Sequence, residues 1–217
     1  LATPSFIAGH SLGEFTALVA ANSLTFNDAL SVVTKRAELM QNAVPENEGA
    51  MAAIIGLEDE RVIEICMQEQ GSGVLEAVNF NSPGQVVIAG TKSILEKSLQ
   101  IFKDAGAKRA ILLPVSVPSH CKLMQPASIL FGSYLNTINF NLPEIPVIQN
   151  FEAIGYNEIE KVKLALVFQL FNPVMWTQTI KLLSSEGIDL FIEAGPGKIL
   201  TGLNKRINRE ALHVSIS

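Results

Sequence analysis

Cysteine is scarce in this chain, which has only Cys66 and Cys121 in 217 residues. Their spacing matches neither a CxxC motif nor a zinc-ligand pattern, and two cysteines do not build the disulfide framework of a small secreted domain. We therefore expect no metal site and a reducing, cytoplasmic compartment.

Long apolar runs and clusters of basic residues are also lacking. No segment approaches the roughly 20 apolar residues of a membrane span, and no basic start followed by an apolar stretch indicates a secretory signal. The net charge is -5 with the Lys and Arg residues scattered, which disfavours nucleic acid and membrane surfaces as partners. Because the chain begins at Leu1 rather than Met, and a motif follows almost at once, we expect a missing amino-terminal segment.

The composition, 48% apolar and 17% charged, allows a well-buried core in one or two compact domains. Residues 48–115 predict the element order β-α-β-β-α-β, which is typical of a ferredoxin-like domain, with a hairpin turn at 81–84. Residues 1–47 and 116–217 predict alternating strands and helices. The predicted fold class is therefore α/β, a large parallel-sheet domain with an inserted small domain.

The first motif with chemical content is GHSLG at residues 9–13. It fits G-x-S-x-G, in which glycines flank a serine on a tight strand-to-helix turn and leave its hydroxyl exposed. Ser11 is thus a candidate nucleophile, and the Leu12 amide at the start of the following helix is a candidate oxyanion donor. The alternative is a glycine-rich turn with a passive serine.

A serine hydroxyl needs a base, and the chain has three histidines. The side chain of His10 should point away from the neighbouring Ser11 hydroxyl, and His213 lies in a predicted terminal strand. His120 lies in the loop that leaves the small domain, so it is the predicted general base. No acid between Ser11 and His120 stands out as a third triad member, so a backbone carbonyl could hold the imidazole tautomer. That feature disfavours a plain hydrolase.

Arg36 lies on a predicted helix whose other face is apolar. One interpretation is an ordinary ion pair with Glu38 or Glu14. The other is that its planar fork binds a carboxylate of the substrate. Spacing alone does not decide between them.

Five motifs, in this order and over essentially the whole chain, closely resemble bacterial malonyl-CoA:acyl carrier protein transacylases. They are GHSLGE at 9–14, GAMAA at 49–53, NFNSPGQ at 79–85, PVSVPSH at 114–120 and EAGPG at 193–197. The resemblance implies a hydrolase-like large domain with an inserted ferredoxin-like small domain. This agrees with the element order above.

The resemblance also implies roles for single residues. Ser11 matches the acylated serine, His120 its base, and Arg36 the arginine that pairs with the malonyl carboxylate. Gln169 matches the residue whose backbone carbonyl orients the histidine.

Other matching residues have less definite roles. Asn79 and Asn81 match small-domain residues that face the cleft, although a structural role in the turn is open for both. His10 is a substrate-binding candidate, and Glu14 has no settled role. The second oxyanion donor of the family lies in a glutamine-rich loop, and no such motif precedes Ser5.

The implied reaction moves a malonyl group from coenzyme A to the phosphopantetheine thiol of acyl carrier protein through a seryl ester. This is the S-malonyltransferase step of fatty acid biosynthesis. It needs no tightly bound cofactor, its partners are the coenzyme A thioester and acyl carrier protein, and we expect a monomer. Lys198, Lys205 and Arg206 are candidates for carrier docking or are solvated helix charges. The alternative functions are a serine thioesterase or esterase, and an inactive fragment.

Overall fold

The computed structural model describes residues 3–115 and 117–216. The predicted domain boundary at Ser116 therefore lies outside the described residues. The division into a small domain of residues 48–115 and a large domain of residues 1–47 and 116–217 stays a prediction.

The first part of the large domain carries the GHSLG motif between a strand and a helix. It consists of β1 (Ile7–Ala8), α1 (Gly13–Ala20) and α2 (Phe26–Gln41). Thr25 caps α2, since its side chain accepts a hydrogen bond from the Asp28 N–H.

The small domain has the predicted ferredoxin-like order. Its four strands form one antiparallel sheet, in which the order across the sheet is the second, third, first and fourth strand of the domain. Two helices pack on this sheet, and their buried side chains share a core with strand residues such as Val86 and Ile88. The elements are β2 (Gly49–Ile55), α3 (Asp59–Glu69), β3 (Leu75–Ser82), β4 (Gln85–Thr91), α4 (Lys92–Asp104) and β5 (Arg109–Leu112).

The predicted four-residue hairpin turn at 81–84 is wrong in its extent. Asn81 and Ser82 belong to β3, and Ser82 pairs with Gln85. The turn is therefore only Pro83 and Gly84, with Gly84 at a φ of 70°. Proline followed by a residue of positive φ is typical of a type II turn, and glycine adopts that φ without strain.

The rest of the large domain continues the α/β pattern. A short 3-10 turn at Lys122–Met124 precedes its helices and strands. These are α5 (Gln125–Leu135), β6 (Val147–Ile148), α6 (Ile159–Gln169), α7 (Trp176–Ser185), β7 (Leu190–Ala194), α8 (Ile199–Ile207) and β8 (Leu212–Ile216). Within the described residues its strands form two parallel pairs, β1 with β6 and β7 with β8, so the expected parallel pairing is confirmed but not as one sheet.

The core of the large domain anchors the helix that follows the GHSLG motif. Phe15 and Leu18 of α1 are buried against Val32 of α2, Phe131 of α5 and Leu166 of α6. Burying a side chain of this size contributes about 1.5–3 kcal/mol. Packing of these side chains in the core therefore fixes the position of α1, which begins directly after Ser11 and Leu12.

Backbone hydrogen bonds join the two domains near the motif. Val174, just before α7, accepts from the Phe80 N–H at 3.0 Å and donates to the Val78 carbonyl at 2.9 Å. The Thr177 hydroxyl also donates to the Phe80 carbonyl, at 3.0 Å. These bonds tie β3 to the large domain.

Candidate active site

The GHSLG segment forms a tight turn between β1 and α1. A Cβ at Gly9 would overlap the Gly13 carbonyl, so only glycine allows the backbone at residue 9 to approach the backbone at residue 13 this closely. Ser11 has a φ of 51°, in the left-handed region that is uncommon for residues other than glycine. This turn has the geometry of a nucleophile elbow.

Asn150, which sequence reasoning missed, holds the backbone of this elbow. Its side-chain oxygen accepts from the Ser11 N–H at 2.6 Å, and its amide nitrogen donates to the Gly9 carbonyl at 2.7 Å. Asn150 follows β6, which pairs in parallel with β1. The carboxyl ends of parallel strands meet at one edge of a sheet, where functional side chains are common. A polar residue just after a short buried strand was therefore the available sign that Asn150 belongs to the site.

His120 lies against the Ser11 hydroxyl. Its Nε2 is 2.8 Å from Ser11 Oγ, and its Nδ1 is 2.6 Å from the Gln169 carbonyl oxygen. Since a carbonyl only accepts, Nδ1 carries the proton and Nε2 is free to accept from the hydroxyl. The His120 N–H also donates to the Leu170 carbonyl, at 2.9 Å, so the end of α6 binds this residue twice.

The environment of His120 keeps its imidazole neutral. Burial lowers its pKa from 6.5 to about 3, and the positive charge of Arg36 acts in the same direction. The Gln169 carbonyl opposes this shift by favouring the protonated ring. A neutral imidazole next to a serine hydroxyl is the state that a general base requires.

Arg36, on α2, also contacts the Ser11 hydroxyl. Its Nη2 is 3.2 Å from Ser11 Oγ and 2.9 Å from the side-chain oxygen of Gln169. Glu38 instead forms an ion pair with Lys35 at 3.3 Å. Of the ion pairs among residues 3–115 and 117–216, none includes Arg36, so neither Glu38 nor Glu14 lies within ion-pair distance of its guanidinium.

Burial lowers the pKa of the Arg36 guanidinium, but the group stays positively charged at neutral pH. Desolvation lowers the pKa of its guanidinium from 12.5 to about 10, and the nearby Glu14 carboxyl raises it. The guanidinium also lies over the Phe15 ring, 5.7 Å from its centroid. Its Nε has no partner among the residues that the structure describes. A buried cation with an unused donor beside a nucleophile is suited to hold a carboxylate.

The remaining predicted residues surround this centre. His10 Nε2 is 2.8 Å from Asn81 Oδ1, a contact from the elbow to the small domain. Asn79 is buried in β3 and forms a bridge with Val174. Leu12 is the N-cap of α1, with a helical φ of -55°, and its side chain is exposed.

The pH dependence of the rate of Ser11 modification tests the pKa of His120. A serine-directed sulfonyl fluoride should modify Ser11 at a constant rate from pH 8 to pH 5. The reason is that His120 has a pKa of about 3 and stays unprotonated over this range. The rate is measured by intact mass. A rate that halves near pH 6.5, the ordinary pKa of histidine, would contradict this assignment.

The same shift affects stability, so folding is monitored in parallel. His120 titrates at 6.5 in the unfolded chain and lower in the folded one, so its contribution to stability is present above pH 6.5 and declines as the pH falls below it. Circular dichroism at each pH separates this loss from a loss of reactivity.

Comparison with known proteins places this geometry in a family. The acyl transferase domain family matches residues 2–215. The chain belongs to this family. Malonyl CoA-acyl carrier protein transacylase from Haemophilus influenzae is 49% identical over 214 residues, which are 99% of this chain and 69% of that protein. The family predicted from the five motifs is thereby confirmed.

Solved structures agree with the fold of this acyl transferase domain. A crystal structure of an acyl carrier protein S-malonyltransferase from Vibrio cholerae has a TM-score of 0.98 and 49% identity, and the match covers 100% of this chain and 71% of that one. A second structure, a type II PKS acyl-carrier protein in complex with its malonyl-transacylase, has a TM-score of 0.95 and 46% identity, covering 99% and 68%. The predicted hydrolase-like large domain and ferredoxin-like small domain are confirmed.

Residues 3–115 and 117–216 show neither a metal-binding cluster nor a membrane-spanning helix. No group of three or more His, Cys, Asp or Glu side chains in these residues is placed to hold a metal ion. None of the helices described there is long and apolar enough to cross a bilayer.

Proposed function

We propose that this chain transfers a malonyl group from coenzyme A to the phosphopantetheine thiol of acyl carrier protein, in fatty acid biosynthesis. The observation that carries the proposal is the buried Arg36 guanidinium, 3.2 Å from Ser11 Oγ. A cation at this position selects an acyl group that ends in a carboxylate. The relatives named malonyl CoA-acyl carrier protein transacylase support the same substrate, and the chain spans 69% and 66% of the length of two of them.

The first half-reaction acylates the serine. His120 Nε2 takes the proton of Ser11 Oγ as this oxygen attacks the malonyl thioester carbon, and the carbonyl oxygen becomes an oxyanion. The donor that we propose for that oxyanion is the N–H of Leu12, the N-cap residue of α1. The intermediate then expels the thiolate of coenzyme A, which receives the proton from His120.

The second half-reaction reverses the roles. His120 takes the proton of the phosphopantetheine thiol, and the thiolate attacks the seryl ester carbon. Ser11 Oγ leaves and regains its proton from His120, which restores the starting state. No further cofactor takes part, because every proton and electron pair is exchanged between these groups.

Arg36 binds the malonyl carboxylate throughout both half-reactions. Its Nη groups, of which Nη2 lies 3.2 Å from Ser11 Oγ, can donate to the carboxylate oxygens. Charge-assisted hydrogen bonds of this kind contribute about 1.5–3 kcal/mol, or roughly one to two orders of magnitude in rate.

Replacing Arg36 therefore separates two substrates. In Arg36→Ala, we expect malonyl transfer from coenzyme A to fall by about 10- to 100-fold, since the carboxylate loses its partner. Acetyl transfer should stay similar or improve, because an acetyl group has no carboxylate. Intact mass of the full-length protein, after mixing with malonyl-CoA or acetyl-CoA in parallel, measures both.

The neighbouring Lys35→Ala is a matched control, because Lys35 lies on the same helix and pairs only with the exposed Glu38. It should leave both rates unchanged. Equal losses on the two substrates in Arg36→Ala would contradict the assigned role. A seryl ester that decays within seconds in buffer without a thiol would instead favour a thioesterase.

The partner proposal is acyl carrier protein, as in the complex of the related malonyl-transacylase. Among the docking candidates, Arg206 donates to the Gln85 side chain at 2.6 Å, and so links α8 to the small domain. Lys198 and Lys205 lie at the start and end of the same helix. We also propose that the protein acts as a monomer. For its location we propose the cytoplasm, a reducing compartment in which the free cysteines Cys66 and Cys121 would stay reduced.

A further inference from the structure

Glu14 is a buried acid that the mechanism above does not use. It lies in the first turn of α1, one helical turn after Ser11, and its side chain is fully buried. Burial raises the pKa of its carboxyl to about 7. A carboxyl is seldom placed at such a site without specific partners.

The partners of Glu14 are the two residues that hold the catalytic groups. Its Oε2 accepts from the Asn150 backbone N–H at 3.0 Å and from the Gln169 side-chain nitrogen at 2.8 Å. Asn150 holds the backbone of Ser11, and Gln169 holds the imidazole of His120. One carboxyl oxygen therefore connects the support of the nucleophile to the support of the base.

Glu14 also decides which way the Gln169 amide faces. The amide nitrogen of Gln169 has two hydrogens, and it donates to Glu14 and, at 3.0 Å, to the Ser11 carbonyl. Its oxygen is thereby turned towards Arg36, from which it accepts at 2.9 Å. With the amide reversed, oxygen would face oxygen at Glu14 and Ser11, and nitrogen would face the guanidinium.

We propose that Glu14 is a positioning residue, which orients Gln169 and Asn150 and through them Ser11, His120 and Arg36. The proposal rests on the proposed function for its substrate. The effect on Ser11 itself is independent of the acyl group. The rate of malonyl transfer to Ser11 and the general reactivity of Ser11 can be measured separately.

The test compares three replacements of Glu14 in the full-length protein. Two reactions of Ser11 are followed by intact mass at saturating reagent, one with malonyl-CoA and one with a serine-directed sulfonyl fluoride. In Glu14→Ala, we expect both rates to fall by about 10- to 100-fold, because small displacements of reacting groups have effects of this size. In Glu14→Gln, both should stay within about threefold of wild type, because the amide oxygen can accept the same two hydrogen bonds.

Ser23→Ala is the matched control, because Ser23 is buried near the end of α1 and donates only to the Asn141 carbonyl. It removes a buried hydrogen bond in the same domain, so it should lower the melting temperature but not the rate per folded molecule. A purely structural Glu14 would behave in the same way. A loss of rate per folded molecule in Glu14→Ala that is recovered in Glu14→Gln is the result that a structural role does not predict.

A folded Glu14→Ala protein that reacts within threefold of wild type overturns the proposal, and so does a Glu14→Gln protein as slow as Glu14→Ala. If Glu14→Ala does not fold, Glu14→Asp replaces it. The shorter side chain withdraws the oxygen by about one C–C bond, so we expect a loss of at least about tenfold. An unchanged rate in folded Glu14→Asp also overturns the proposal. A wild-type protein that reacts with the sulfonyl fluoride but not with malonyl-CoA contradicts the proposed function alone.

Discussion

Ser11→Ala protein mixed with malonyl-CoA should show no mass increase, whereas the wild type should gain one malonyl group. The reason is that the ester forms on Ser11 Oγ, the hydroxyl in contact with both His120 Nε2 and Arg36 Nη2. Alanine also keeps a Cβ and so changes the backbone little at this position. We therefore expect a complete loss of labelling in a folded protein, and intact mass measures it directly.

Ser31→Ala is a suitable control for this variant. Ser31 is exposed on α2, and its hydroxyl donates only to the Asn27 carbonyl, one turn earlier. This protein should be labelled like the wild type. Labelling that persists in Ser11→Ala would place the ester on another residue and refute the nucleophile assignment.

His120→Asn should slow acylation of Ser11 by about 10²- to 10⁴-fold, the range that a general base contributes. Asparagine is chosen because His120 has a φ of 68°, a conformation that asparagine tolerates better than most residues. Its amide can still donate to the Gln169 carbonyl but cannot take a proton. The rate of mass increase with malonyl-CoA gives the result.

His213→Gln provides the comparison for a histidine outside the site. Its ring stacks on Phe191 at 5.3 Å and its Nε2 lies 2.7 Å from the Asn208 carbonyl. We expect a change in thermal stability without a change in acylation rate. A His120→Asn protein that acylates within tenfold of the wild type would rule out His120 as the base.

Local patterns were enough to predict much of this molecule. The β-α-β-β-α-β order followed from periodicity and turn residues, which are local signals, although β2 pairs with β4 and β5 much later in the chain. The GHSLG motif indicated Ser11 for a similar reason, since the strand, turn and helix that expose it are continuous in sequence. His120 followed by elimination, because only three histidines were available.

The supports of the site were harder to predict, because their contacts are remote in sequence. Asn150 contacts Ser11 across 139 residues, and Gln169 contacts Glu14 across 155. No periodicity reports a contact of this kind. The role of the Gln169 carbonyl came only from resemblance, and its side-chain bonds to Arg36 and Glu14 were not foreseen.

The end of the hairpin was mispredicted for a different reason. Asn81 and Ser82 are typical turn residues, yet they extend β3. The pairing of Ser82 with Gln85 and the contact of Asn81 with His10 outweigh their local preference. Tertiary contacts often override propensity in this way.

The attachment of His120 to the end of a helix, rather than to an acid, has a consequence for reversibility. A carboxylate beside the ring would stabilise the imidazolium ion by direct charge pairing, and a neutral carbonyl does so less strongly. The proton that the ring has taken is therefore returned readily to a departing sulfur or oxygen. In the proposed exchange between two thioesters, such a weakly held proton favours reversibility, because neither direction passes through a strongly stabilised imidazolium ion.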